Sequence, residues 1–117
     1  MIRVNRLAWI VLALILLAGC GGQSGKPSGK TGYLDAEAVE HAGAVAIYKQ
    51  RCMACHGNEL QGRAGPGLAT IGDVLDQQQI YEVISDGRTK KGMPAFNKTL
   101  DEADIQKLAA WLAEKKT

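Results

Sequence analysis

Cys52, Cys55 and His56 carry the most pointed chemistry in the chain, in the run Cys52-Met53-Ala54-Cys55-His56-Gly57. C-x-x-C-H is the spacing for covalent attachment of a c-type haem. Two thiols three positions apart reach the two vinyl groups along one edge of a porphyrin. The histidine that follows directly is carried under the ring, where an imidazole nitrogen binds iron. Two other uses of C-x-x-C compete. A redox-active dithiol belongs in a βαβ context, and no strand-like run precedes this one. Half of a zinc site needs two further ligands, and no second Cys/His pair lies downstream. The spacing therefore predicts one covalently attached haem c.

His56 supplies one axial bond, so the other position decides the chemistry. Of the three methionines, Met1 belongs to the leader described below, and Met53 lies inside the attachment loop, facing the wrong way to reach over the ring. Met93, in Gly92-Met93-Pro94, remains as the axial ligand. A thioether suits haem iron, and a Met/His pair raises the potential and fills the coordination sphere. Gly92 lets backbone approach closely, and Pro94 fixes the chain just after the ligand. The competing reading of Met93 is a core methionine. His41 is a rival ligand whose simpler reading is a polar-face residue of the helix leading into the motif.

Three helices are expected to position these residues. Asp35 to Gln50 has helical composition, with Ala38, Ala42, Val45 and Tyr48 along one face; Asp35 either caps its start or, with Glu37, favours the positive helix end. Gly57 to Gly72, with five glycines, reads as an irregular loop. Leu75-Asp76-x-x-Gln79-Ile80 predicts a capping box and a hydrophobic staple, followed by a buried stripe of Ile80, Val83 and Ile84 and a terminating Gly87. Leu100-Asp101-x-x-Asp104-Ile105 repeats the device ahead of Ile105, Leu108, Trp111 and Leu112, with Lys115 and Lys116 expected in the last turn. No run reads as a strand, so the class is all-α. Only six aromatics are present in 117 residues. A core so poor in large rings needs a staple, and a buried porphyrin would supply the missing apolar bulk.

The third cysteine explains itself at the N-terminus. Arg3 and Arg6 precede an apolar run of twelve residues, Leu7 to Ala18, which is signal-peptide length and short of the roughly 20 residues of a membrane span. Leu17-Ala18-Gly19-Cys20 resembles the lipobox of bacterial lipoproteins. That resemblance implies a leader over residues 1–19, a diacylglyceryl group on Cys20, and two acyl chains that suffice for stable anchoring. The alternative is an ordinary secretory signal with an incidental cysteine. Residues 20–33 are then the lipidated cysteine and a tether, since GGQSGKPSGKTG at 21–32 offers no apolar side chain to bury. As a coil it would span about 20 Å, and about 40 Å when stretched. The domain is expected over residues 34–117.

The formal charge of +2 and sequence pI of about 8.5 suggest no nucleic-acid partner. Two of the 14 basic side chains, Arg3 and Arg6, leave with the leader, so the mature chain carries 12 basic and 12 acidic groups. Any electrostatic docking must come from local patches, of which Arg88, Lys90, Lys91 and Lys98 around Met93 are the candidate.

Residues 34–114 resemble the class I cytochromes c, and the lipobox adds similarity to small lipoprotein cytochromes c of Gram-positive bacteria. The resemblance rests on Cys52/Cys55/His56, Pro66-Gly67-Leu68, Gly92-Met93-Pro94, and the helix pair bearing Tyr48 and Trp111. It implies a cytochrome c-like domain of three to four helices around one haem. It further implies that the Pro66 carbonyl engages the outer nitrogen of His56 and that Leu68 packs on the haem. Tyr48 and Trp111 would nest where the first and last helices cross. The family usually has glycine eight positions before the first haem cysteine. Ala44 stands there, with Gly43 beside it, so the closeness of that crossing is open.

The implied function is a membrane-tethered one-electron carrier on the outer face of the cytoplasmic membrane. It would shuttle between a quinol-oxidising complex and a terminal oxidase, as a monomer with no small-molecule substrate. A peroxidase or small-ligand-binding haem is the enzymatic alternative, requiring an open sixth position and a poised distal His or Arg. A subunit or donor dedicated to one enzyme is the third reading.

Overall fold

The computed structural model describes residues 32–117. The leader, Cys20 and the tether up to Thr31 lie outside the described residues. Four helices follow in order: α1 (Tyr33–Arg51), α2 (Met53–His56), α3 (Gln77–Asp86) and α4 (Glu102–Ala113), with 3-10 turns at Ile71–Asp73 and Thr89–Lys91. Among the described residues there is no strand, only an isolated antiparallel bridge between Arg88 and Met93. The all-α expectation holds.

α1 is not one straight rod. His41 has φ −120° and ψ 37°, outside the helical region. Lys49 Nζ lies 2.6 Å from Asp35 Oδ1, whereas an unbroken helix would put residues fourteen apart about 21 Å from each other. The axis therefore turns sharply at His41, two residues before Gly43, a poor helix former. The expected face holds at Val45 and Tyr48, which are buried, and at Ala38, which is half-buried against the core. Ala42, beside the break, is exposed, and Leu34 and Ala44 are buried in addition, because a 3.6-residue stripe does not continue unchanged through a break. The helix also starts at Tyr33, capped by the Gly32 backbone with no side-chain cap, so Asp35 sits in the first turn and is not the cap.

α4 packs against both α1 and α3. Its Ile105, Leu108, Ala109, Trp111 and Leu112 are buried, each large apolar side chain contributing about 1.5–3 kcal/mol of transfer free energy. At the crossing with α1, Ala44 is buried and Gly43 exposed, so the alanine occupies the inward position. The Tyr48 and Trp111 rings meet there edge to face, centroids 5.4 Å apart and planes at 74°, a geometry that suits their quadrupoles.

The start of α3 matches its sequence signature. Gln79 N–H donates to Asp76 Oδ1 at 2.8 Å, and Asp76 N–H donates to Gln79 Oε1 at 3.0 Å. Ile80 and Ile84 are buried, while Val83 is half-buried. At α4, Asp104 N–H donates to Asp101 Oδ1 at 2.8 Å. That helix ends at Ala113, so Lys115 and Lys116 lie beyond its last turn. Lys115 instead bonds Glu37 and sits over the Trp111 ring, 5.2 Å from its centroid, because the turn at His41 brings Glu37 within reach.

Candidate cofactor site

α1 ends at the motif. Cys52 N–H donates to the Tyr48 carbonyl at 2.9 Å, while the Cys52 carbonyl accepts from Cys55 N–H at 3.1 Å and from His56 N–H at 3.0 Å. The pentapeptide is thus a single helical turn, which sets positions three and four apart on one side. Cys52 and Cys55 are not bonded to each other. Cys52 is half-buried, Cys55 exposed and His56 buried.

The loop after the motif folds back over it. Gly62 N–H donates to the His56 carbonyl at 2.7 Å and Gly65 N–H to the Cys55 carbonyl at 2.8 Å. Tyr48 Oη donates to the Gly57 carbonyl at 2.7 Å, which ties the helix crossing to the residue after His56. Burial pushes the Tyr48 phenol well above its ordinary range, so it stays a donor. Leu60 is fully buried beneath the loop at φ 59°, and its carbonyl accepts from Leu68 N–H at 2.7 Å.

His56 Nδ1 lies 2.8 Å from the Pro66 carbonyl oxygen. A carbonyl only accepts, so Nδ1 carries the proton and Nε2 keeps its lone pair. That is the tautomer a metal ligand needs. The two competing uses of the thiols fare worse. Burial pushes the Cys52 thiol up to about 11, with Cys55 beside it adding to the effect, the opposite of an activated dithiol. Among the described residues no group of three or more His, Cys, Asp or Glu side chains is placed to hold a metal ion, as a zinc site would require. Two unpaired thiols with an oriented imidazole on one helical turn fit a covalently attached haem.

Met93 lies in a tight hairpin. Arg88 N–H donates to the Met93 carbonyl at 2.9 Å and Met93 N–H to the Arg88 carbonyl at 3.2 Å, around the turn at Thr89–Lys91 and left-handed Gly92. The return arm is stitched to α3 by Phe96 N–H on the Ile84 carbonyl (3.1 Å) and Asn97 N–H on that of Ser85 (3.2 Å). Gly87 makes this possible. Its φ is +70°, and a methyl there would lie 2.5 Å from the Pro94 carbonyl carbon. Met93 and Leu68 are both half-buried and pack against the same core. The rival His41 is engaged elsewhere, its Nε2 3.1 Å from Glu114 Oε2.

Two contributors escaped sequence reasoning, Leu60 and Gly65, and so did the role of Glu37 as acceptor for Trp111 and Lys115. Leu60 left one faint signal, as a large apolar residue inside a glycine-rich loop.

Residues 39–112 match the family described as cytochrome C oxidase, cbb3-type, subunit III. Cytochrome c-551 of Bacillus subtilis (strain 168) is 34% identical over 104 residues, covering 87% of this chain and 87% of that protein. The chain belongs to the cytochrome c family. Cytochrome c-550 of the same organism is 36% identical over 74 residues, 63% of this chain and 58% of that one. The cbb3-type cytochrome c oxidase subunit CcoP of Azospirillum sp. (strain B510) is 31% identical over 87 residues, 66% of this chain and 29% of the subunit. As a cytochrome c, the protein carries one covalently attached haem c and is an electron carrier.

Proposed function

We propose that this cytochrome c is a membrane-tethered one-electron carrier that shuttles between a quinol-oxidising complex and a terminal oxidase. Haem iron supplies reversible one-electron chemistry; the chain's residues bind, ligate and shield it. In this reading the Cys52 and Cys55 thiols would hold the porphyrin, each through a thioether formed by adding its S–H across a vinyl double bond. His56 Nε2 and Met93 Sδ would ligate the iron. The Pro66 carbonyl would raise the basicity of the imidazole by accepting a hydrogen bond from Nδ1–H, and Leu68 would pack on the haem. With the Met93 thioether and the His56 imidazole both engaged, the haem would supply one-electron transfer and offer no site for a small-molecule substrate.

The observation that supports this reading is the His56 Nδ1 to Pro66 carbonyl contact of 2.8 Å, which leaves Nε2 the lone pair that a metal ligand needs. An absorption spectrum with pyridine haemochrome analysis tests it, expecting one haem c per chain and a six-coordinate His/Met spectrum. Tight carbon monoxide binding by the reduced protein would count for the enzymatic reading and against this one.

Anchoring at Cys20 and residence on the outer face of the cytoplasmic membrane rest on the lipobox-like sequence. Mass spectrometry of the mature N-terminus should find the diacylglyceryl adduct on Cys20, and a Cys20→Ala chain should leave the membrane fraction.

Relatives named as cbb3-type oxidase subunits favour one further reading, a donor dedicated to a single oxidase. Co-purification with one complex, in place of exchange with several, would select it.

A further inference from the structure

Gly65 stands against the face of the His56 ring. A methyl group on Gly65 would lie 2.7 Å from Cε1, 3.0 Å from Nδ1 and 3.2 Å from Nε2 of that imidazole. A point in the ring plane beyond Cε1 would be much farther from the two nitrogens than from the carbon. The near-equality therefore puts the glycine over the face and not at the edge. Gly65 cannot retreat. Its N–H donates to the Cys55 carbonyl at 2.8 Å and its own carbonyl accepts from Arg63 N–H at 3.0 Å. The next residue supplies the carbonyl that holds Nδ1 in the ring plane. One restraint acts in the plane and one on the face, and together they leave the imidazole a single rotation.

We propose that Gly65 is a positioning residue for the axial imidazole. Its bare Cα is the wall that sets the rotation of His56 about the bond from Nε2 to iron, and it holds that rotation in both oxidation states. The inference rests on His56 being the ligand, as proposed above. Contacts at 2.7–3.2 Å are closer than a methyl carbon tolerates, so Gly65→Ala must tilt the ring or push it off its seat. Either movement lengthens the Nδ1–H bond to Pro66. A weaker bond there makes the imidazole a poorer electron donor, which favours reduced iron and raises the potential.

Gly72→Ala is the control. A methyl at Gly72 meets the backbone of Ala113 and Lys115, so it crowds the end of the same loop without touching the ring or the Pro66 carbonyl. Proton NMR of the ferric holoprotein and potentiometric titration read both variants. Gly65→Ala should raise the potential and change the spread of the hyperfine-shifted haem methyl resonances. Gly72→Ala should lower stability and leave both unchanged. Wild-type values in Gly65→Ala, or equal shifts in Gly72→Ala, overturn the assignment. Should Gly65→Ala fail to yield holoprotein, the reduced wild type decides: a nuclear Overhauser contact between Gly65 Hα and His56 Hε1 supports the wall, and its absence removes it. Strongly shifted His56 ring resonances in the ferric wild type report ligation independently, so their absence sinks the ligand reading and not merely the role of Gly65.

Discussion

Trp111 Nε1 donates to Glu37 Oε2 at 2.7 Å, joining side chains 74 residues apart. Lys115 Nζ donates to the same oxygen. Glu37 thus ties the first half of α1 to the end of α4, over the crossing where Tyr48 meets Trp111. Burial works against its charge, but hydrogen bonds from Lys115 and Trp111 prevail and hold the carboxyl below its ordinary 4.5.

Glu37→Ala leaves the indole N–H and the Lys115 ammonium without their acceptor, at a cost of about 1–3 kcal/mol in denaturant unfolding. The pH dependence has a definite sign. The folded value lies below the unfolded one, so the ion's contribution is full above 4.5 and is lost as pH falls through the lower, folded value. Glu37→Gln keeps an acceptor without the charge, so the stability gap between wild type and Gln should narrow as pH drops below 4.5. A gap of constant size across that range would contradict the assigned ion.

Met93→Ala should abolish the weak red methionine–ferric charge-transfer band and lower the potential. If both survive, another group ligates the iron. Gly87→Ala probes the same loop from behind. The site combines φ +70° with ψ −177°, a region reserved for glycine, and about 1–3 kcal/mol of stability should be lost. The hairpin bearing Met93 rests on this glycine through Pro94, so the red band should weaken as well.

Asp76→Ala removes one half of a reciprocal cap and should cost about 1 kcal/mol. Asp101→Ala, on a different helix, should cost a similar amount. The double variant should lose the sum to within about 0.5 kcal/mol, because the two caps share no partner. Equilibrium unfolding of the three variants checks this, and a large non-additive term would mean that the helix starts communicate.

Arg88, Lys90, Lys91 and Lys98 are exposed, and none takes part in the ion pairs formed among the described residues. Lys90→Ala with Lys91→Ala should slow oxidation by membranes at low salt several-fold and flatten the decline of the rate with ionic strength. Wild-type rates that hold steady as salt rises would remove the docking role of the Met93 hairpin.

Much of the fold was legible because its signals are local. The haem motif is one helical turn, the caps of α3 and α4 span four residues each, and Gly87 announces the end of α3. The apolar spacing of α4 found Ile105, Leu108, Trp111 and Leu112 because nothing interrupts that helix. On α1 the apolar spacing found Val45 and Tyr48 but not the exposure of Ala42, since the composition continues through His41 while the backbone does not.

The amino-acid sequence by itself determined the attachment turn, the placement of Met93 between two helices, and the helix starts, all set by contacts within a few positions. Only the tertiary structure decided the turn at His41, the meeting of Glu37 with Trp111 and Lys115, and the seat of the His56 ring between the Pro66 carbonyl and the Gly65 backbone. These depend on where chain segments 9 to 78 residues apart come to rest. No local propensity encodes that; burial of one shared core and the pairing of buried polar groups select it.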